Sequence, residues 1–245
     1  MSETRVNLST TPRLYVAQGL FAGASIGLSV PQSHYLAQVM RRQPRDTVRL
    51  FDGTNGEWAA RLVSVGRKAV IALVETQSAP QEITADLWLC AAPLKRDRFD
   101  WVAEKACELG VSRLVPVVTQ RTNMGKLNLD KLRAHMTEAA EQCGRTAIPE
   151  VTEPVALAEL LRTWPAERAL LIADEGGGEA ILNGCARAPA PAAVLIGPEG
   201  GFTDGEREAI RGISGAIAVS LGPRILRADT AAVVAVGVWQ ALMGR

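Results

Sequence analysis

The sequence predicts an α/β protein carrying a small all-β domain at its N-terminus, and two changes of texture support that expectation. From Arg13 to Thr76, short β-type runs are separated by turn residues. Beyond a polar stretch, Gln77-Ser78-Ala79-Pro80-Gln81-Glu82, apolar runs alternate with segments of helical period, the pattern of a largely parallel sheet covered by helices. The break is read as a domain boundary, with a β-barrel over residues 1–76 and an α/β domain over residues 83–245.

In the first part, Leu14-Tyr15-Val16, Thr47 to Phe51, Glu57 to Val63 and Ala69 to Val74 read as strands. Asp52-Gly53-Thr54-Asn55-Gly56 has the length and chemistry of a hairpin loop, and Gly66-Arg67-Lys68 separates the next two runs. One helix interrupts them, because His34 to Arg41 sets Tyr35, Leu36, Val39 and Met40 on one face, with Ser33 expected as the N-cap. In the second part the strands are Leu87 to Ala91, Leu114 to Val118, Ala169 to Ala173, Val194 to Ile196 and Ala216 to Leu221. Between the first two, Phe99, Val102, Ala106 and Leu109 recur at helical spacing, Asp97 and Asp100 suit the positive end of the helix dipole, and Gly110 can terminate it. A final helix runs from Ala231 to Met243.

Composition excludes several classes. The polar start, Met1-Ser2-Glu3-Thr4-Arg5, and the absence of any uncharged stretch longer than Thr230 to Gly244 lead to the expectation of a cytoplasmic protein that does not span a membrane. Cys90, Cys107, Cys143 and Cys185 form no CxxC pair and read as buried thiols; with only His34 and His135 present, neither a metal site nor a Ser-His-Asp triad is expected. Net charge is +1, but residues 1–80 hold nine Lys and Arg against five Asp and Glu. That surplus is either a solvated face or a surface for a polyanion.

The segment with most chemistry is Val194-Leu195-Ile196-Gly197-Pro198-Glu199-Gly200-Gly201-Phe202-Thr203-Asp204-Gly205-Glu206. A hydrophobic strand ends in a glycine loop, and Thr203 with Glu206 matches a capping box that opens a helix. Glycines at the carboxyl end of a strand allow backbone amides to approach a ligand, although a tight turn would use them as well. A second glycine-bearing loop, Leu221-Gly222-Pro223-Arg224-Ile225-Leu226-Arg227, follows the next strand and leads into the last helix through Ala228-Asp229-Thr230. Arg224, Arg227 and Asp229 stand among apolar neighbours, so they either pair with one another or point into a site.

Together these loops closely resemble the cofactor-binding motifs of the RsmE family of 16S ribosomal RNA uridine-N3 methyltransferases, within the SPOUT superfamily. The resemblance extends through Lys105 to Val111, Gln120-Arg121-Thr122, Glu138 to Arg145 with Pro149, and, in the N-terminal part, His34-Tyr35-Leu36 through Arg41 and Leu50-Phe51-Asp52-Gly53. It implies a C-terminal trefoil-knotted methyltransferase domain with an N-terminal PUA-like β-barrel, a homodimer with the active site near the subunit interface, and a uridine in the decoding region of the small ribosomal subunit as substrate. Two positions depart from the family pattern: Asp229 stands where Glu is usual, and Arg45 where Gly usually precedes Asp46.

The resemblance implies S-adenosyl-L-methionine as cofactor, held by Leu195, Ile196, Gly197, Pro198, Glu199, Gly200 and Gly201 from the first loop and by Leu221, Gly222, Ile225, Leu226, Arg227 and Thr230 from the second. The methyl donor is already activated, so the protein must align it with the uracil nitrogen and help remove that nitrogen's proton. Arg227 is the candidate for stabilising negative charge on the uracil, and Asp229 or Glu199 for accepting the proton. RNA contacts are expected from Arg13 on the basic barrel and from Lys95, Arg96, Arg98, Lys105, Arg121 and Arg145, with Glu141 a further residue on the substrate side. Two other readings compete. A non-catalytic RNA-binding protein using the barrel alone would have no affinity for the cofactor, and an NAD-dependent enzyme is disfavoured by the lack of GxGxxG after the first strand of the α/β domain.

Overall fold

The structure, a computed structural model, describes residues 11–67, 69–123, 127–174 and 176–244. The chain divides into two compact units. The first takes residues 1–83 together with 140–147, and the second takes 84–139 and 148–245.

The first unit holds a five-stranded sheet built from β1 (Arg13–Tyr15), β2 (Ser25–Gly27), β3 (Thr47–Phe51), β4 (Glu57–Val65) and β5 (Val70–Ala79), in the order β1-β3-β4-β5-β2. Only the β1–β3 pairing is parallel. Three register shifts between β4 and β5 bend the sheet around a core that includes Leu14, Leu36, Val48, Leu50, Leu62 and Val74. The expected hairpin loop forms, with Phe51 opposite Glu57, and the Asp52 carboxylate accepts hydrogen bonds from the backbone N–H groups of Thr54 and Asn55.

The helix of this unit differs from the expectation. It starts earlier, as α1 (Val30–His34), capped by Ser29 in a reciprocal box with Gln32, and continues as a single π turn over Tyr35–Val39. Pro31, in the first turn, presets the backbone for a helix that begins here. Ser33 is therefore not the cap. Its buried Oγ donates to the carbonyl of Leu28 and accepts from the N–H of Val70, satisfying a backbone donor at the start of β5. The π turn changes the angular spacing of side chains, so of the expected apolar face only Leu36 is buried, while Tyr35 and Val39 are exposed.

The second unit is an α/β domain whose strand pairings are all parallel. Its strands are β6 (Leu87–Ala91), β7 (Arg113–Val118), β8 (Glu150–Val151), β9 (Val155–Ala156), β10 (Ala169–Ala173), β11 (Glu179–Ala180), β12 (Ala192–Ile196) and β13 (Ala216–Ser220). The order β11-β13-β10-β12-β6-β7-β8, with β9 beside β7, places β10 between the two strands that feed the glycine loops. Helices α2 (Arg96–Glu108), α3 (Leu129–Cys143), α4 (Leu157–Arg162), α5 (Ile181–Ala186), α6 (Asp204–Arg211) and α7 (Ala228–Met243) connect them. The apolar face read for α2 is buried at Phe99, Val102 and Ala106, and Gly110 beyond it has a φ of 82°. Helix α7 packs against α2, α5, β6 and β12, and the indole Nε1–H of its fully buried Trp239 donates to the carbonyl of Ala188 at 2.7 Å.

At the opposite ends of the strands, the side chain of Arg168 lies over the Trp88 ring at 3.8 Å and donates to the Asp86 carboxylate and the Ala192 carbonyl, tying β6 to β12. Burial pushes the Asp86 carboxyl upward, but hydrogen bonding and charge from Arg168 outweigh it and hold the group below its ordinary value. Cys90, Cys107 and Cys185 are buried as expected, and burial pushes the Cys90 thiol up to about 12. Cys143 is exposed, because it closes α3 on the side away from the core. No described helix is long and apolar enough to cross a membrane. Among the described residues, no group of three or more His, Cys, Asp or Glu is placed to hold a metal ion.

Candidate cofactor pocket and its basic rim

The carboxyl ends of β10, β12 and β13 open into a cavity of about 370 Å³, walled by the loops that follow these strands. The β12 loop is held from below. Phe202 is buried under it, and a Cβ at Gly197 would approach the Phe202 ring to 3.0 Å, so a side chain there would crowd that ring. Gly201 has a φ of 66°, which reverses the chain into α6. The Thr203–Glu206 capping box forms as expected, and Glu206 also accepts the N–H of Gln120 at 2.8 Å, tying this loop to the one after β7. On the far wall, Gly222 has a φ of 117° that an L side chain would strain, although its surroundings are open.

Of the residues expected to hold the cofactor, Ile196, Gly197, Pro198, Glu199 and Gly201 line the cavity from one side, and Leu221, Gly222, Ile225, Leu226 and Arg227 from the other. Three do not line it. Leu195 points into the core between sheet and helices, since successive strand residues face opposite ways. Gly200 lies outside, its carbonyl accepting from Arg121 NH1 at 2.7 Å, and Thr230 is exposed on the first turn of α7.

Sequence reading missed a third wall. Ala173, Asp174 and Gly177, from the loop after β10, complete the cavity. A Cβ at Gly178, the next residue, would collide with the backbone of Ala218 and Val219, so this loop is clamped to β13. The Asp174 carboxylate is nearly buried and accepts from Arg207 Nε at 3.0 Å. The signal was present: Asp174 is followed after one residue by Gly176-Gly177-Gly178, a glycine run after a buried strand like the two that were recognised.

The charged residues sort into two groups. Arg227 caps α7, where its carbonyl accepts the N–H of Ala231 at 2.8 Å; its side chain is exposed and makes no ion pair or hydrogen bond among the described residues. It does not pair with Asp229. That carboxylate does not line the cavity and instead faces Arg98 Nε at 3.9 Å. Glu199 lines the cavity and is exposed, with no ion-pair partner among the described residues. Lys95, Arg98 and Arg121, expected to contact RNA, all reach solvent. Lys105 is half-buried, and hydrogen bonds to Glu104 and Glu108 hold its ammonium above the ordinary range, committing its charge locally.

Arg13 and Arg145, expected at an RNA surface, are buried inside the first unit. Arg13 lies over the Phe51 ring at 3.9 Å, pairs with Glu57 at 2.6 Å, and donates to the carbonyls of Ala140 and Arg145. Arg145 Nε donates to Glu82 at 2.8 Å, and Glu141 accepts the N–H of Tyr15 at 2.8 Å. These groups answer one another's charges and buried donors, which a count of basic residues along the sequence cannot show.

Comparison with known proteins agrees with this architecture. Residues 81–240 match the RNA methyltransferase domain family, and residues 28–75 match the RNA methyltransferase PUA domain. The ribosomal RNA small subunit methyltransferase E of Synechocystis is 34% identical over 94% of this chain and 78% of its own. That of Rickettsia conorii is 28% identical over 91% and 93%. The crystal structure of the Neisseria gonorrhoeae protein of the same name, bound to S-adenosyl methionine, superposes with a TM-score of 0.85 at 28% identity, covering 96% of this chain and 98% of that one. From its two matched domains, its glycine-loop cavity and its full-length likeness to these relatives, the chain belongs to the ribosomal RNA small subunit methyltransferase E family.

Proposed function

We propose that the protein transfers the methyl group of S-adenosylmethionine to N3 of a uridine in the decoding region of 16S ribosomal RNA, as a knotted homodimer acting in the cytoplasm. The observation that carries this reading is the cavity over β10, β12 and β13, which gathers both glycine loops and has Arg227 at its mouth. Its volume of about 370 Å³ suits a small-molecule cofactor. The donor set also fits. Backbone groups of the two loops suit the hydrogen-bonding edges of adenine and ribose, and Leu221, Ile225 and Leu226 provide an apolar wall.

When bound there, the cofactor supplies a methyl group on a sulfonium, already activated for transfer. The remaining work falls to this chain. The N3 lone pair must form the new bond to carbon while the electrons of the breaking S–CH3 bond return to sulfur, and the N3 proton must leave. Arg227, with its charge uncommitted among the described residues, stabilises the negative charge that spreads onto the uracil oxygens as that proton departs. Glu199 is the better placed acceptor, because it lines the cavity, whereas Asp229 does not and is engaged with Arg98. An ordinary carboxylate is a weak base for this proton, so acidification of the uracil by Arg227 is the larger part of the mechanism.

Methyl transfer to 16S ribosomal RNA, followed by nuclease digestion and mass spectrometry, tests the assignment. Cells lacking the protein should lose one N3-methyluridine from the small subunit. An unchanged modification pattern would refute it.

A further inference from the structure

With Arg13 withdrawn into the interior, the surplus of basic residues in the first 80 positions needs another location, and the structure gives one. The turn Gln43–Asp46 is pinned against β4, because Arg45 N–H donates to the carbonyl of Leu62 and Leu62 N–H donates to that of Asp46. The tip of the β4–β5 hairpin lies at the same end of the sheet, closed by Gly66 N–H donating to Ala69, and Ser33 of α1 bonds Val70 beside it. Arg41, Arg45 and Arg67 are therefore collected at one end of the unit. All three are exposed, and none has a carboxylate within ion-pair distance among the described residues.

The described carboxylates of this unit are engaged elsewhere. Glu57 is paired with Arg13 and Arg49, Glu75 with Arg61 and Glu82 with Arg145, while Asp52 lies in the hairpin at the other end. Asp46, within the turn, is used locally and accepts Gln43 N–H. The exposed side chains of Tyr35 and Val39 are on the adjoining π turn, which Arg42 N–H fastens by donating to Leu36. An uncompensated cationic edge beside an exposed aromatic ring is complementary to a nucleic-acid strand, whose phosphates need charge and whose unstacked bases need a flat apolar surface.

Two of the three arginines occupy left-handed backbone, with φ of 51° at Arg41 and 82° at Arg45. Such conformations favour glycine. At both positions the chain instead carries a charged side chain on backbone that L residues rarely adopt. That placement is understandable if the side chains have a ligand.

We propose that the end of the first unit formed by Arg41, Arg45 and Arg67, with Tyr35 beside it, binds the phosphate backbone of the substrate RNA. The proposal rests on the reading of the protein as a ribosomal RNA methyltransferase. The test compares wild type with Arg45→Gly, and with a triple variant carrying Arg41→Asn, Arg45→Gly and Arg67→Ala, on a 16S ribosomal RNA transcript across a range of salt concentrations. S-adenosylhomocysteine affinity is measured in parallel.

Each lost phosphate contact should flatten the slope of log affinity against log salt by about 0.7–0.9, so the triple variant should lose about 2–3 in slope and on the order of 10²-fold in affinity at 0.1 M salt. Arg45→Gly should lose one such increment while its melting temperature stays unchanged or rises by up to about 2–4 °C, a pairing that mere misfolding cannot produce. S-adenosylhomocysteine affinity should not move in either variant. Wild-type slope and affinity in the triple variant would overturn the assignment of this surface while leaving the enzymatic reading intact. A wild-type protein that binds S-adenosylhomocysteine but not the transcript would overturn both.

Discussion

Replacing Arg227 by alanine separates chemistry from architecture, because this arginine lines the cavity yet its side chain makes no hydrogen bond or ion pair among the described residues. Its loss should change folding stability by no more than about 0.5 kcal/mol, as for a surface substitution away from any network. If Arg227 acts on charge that develops only as the uracil proton leaves, turnover should fall by about 10²–10³, equivalent to roughly 2.7–4 kcal/mol of transition-state stabilisation. Asp229→Ala should behave differently. It gives up an ion pair with Arg98 at 3.9 Å, with the arginine side chain 40% exposed, together with a favourable position in the first turn of α7. Each of these contributes about 0.3–1 kcal/mol. The two changes should add, since no contact couples them. Single-turnover transfer of a labelled methyl group to 16S ribosomal RNA, with calorimetry of S-adenosylhomocysteine on the two single variants and the double, measures both quantities. Parallel losses of rate, affinity and melting temperature in Arg227→Ala would refute the reasoning and return Arg227 to a bracing role.

Two further outcomes follow from geometry outside the reacting centre. Burial pushes the Glu57 carboxyl up, but hydrogen bonds from Arg13 and Ser78 and the charges of Arg49 and Arg13 more than reverse this and hold it below its ordinary 4.5. Its stabilising contribution is thus complete above that pH and lost as pH falls through the lowered folded value. Glu57→Gln, which strands the buried Arg13 guanidinium, should cost about 3–5 kcal/mol in urea unfolding at pH 7. The gap from wild type should narrow below pH 4.5; a gap independent of pH would contradict the ion-pair account. Gly178→Ala places a methyl group against the backbone of Ala218, which cannot yield as a side chain can, so a loss of about 1–3 kcal/mol and weaker S-adenosylhomocysteine binding are expected. Melting and calorimetry indistinguishable from wild type would show that the β10 loop is not clamped.

Much of the second unit was legible because its information is local. Leu87–Ala91 and Ala169–Ala173 form strands with the expected limits, since buried parallel strands are continuous apolar runs, and the Thr203–Glu206 box depends on residues three apart. What failed depended on distant partners. Ser33 has the residue type of a cap, but the N–H it satisfies belongs to Val70. Arg13 and Arg145 look like surface cations until Phe51, Glu57 and Glu82 are brought beside them. Asp174 was overlooked because its loop was not one of the two matched motifs, although β10 lies between the strands that carry them.

The small segment 140–147 also bears on how the protein is made. Arg13 finds its acceptors in the carbonyls of Ala140 and Arg145, Tyr15 in the carboxylate of Glu141, and Glu82 is bonded by Arg145 and Thr146. A ribosome that has released residues 1–83 has delivered the strands of the first unit but none of these partners. At about 5–20 residues per second, roughly 3–13 s pass before residue 147 follows, and through that interval the Arg13 guanidinium has Glu57 but neither of its two carbonyl acceptors. Completion of the N-terminal unit is thus gated by translation of the C-terminal one, and a gene cut at the apparent boundary near residue 80 yields a fragment lacking part of its own interior.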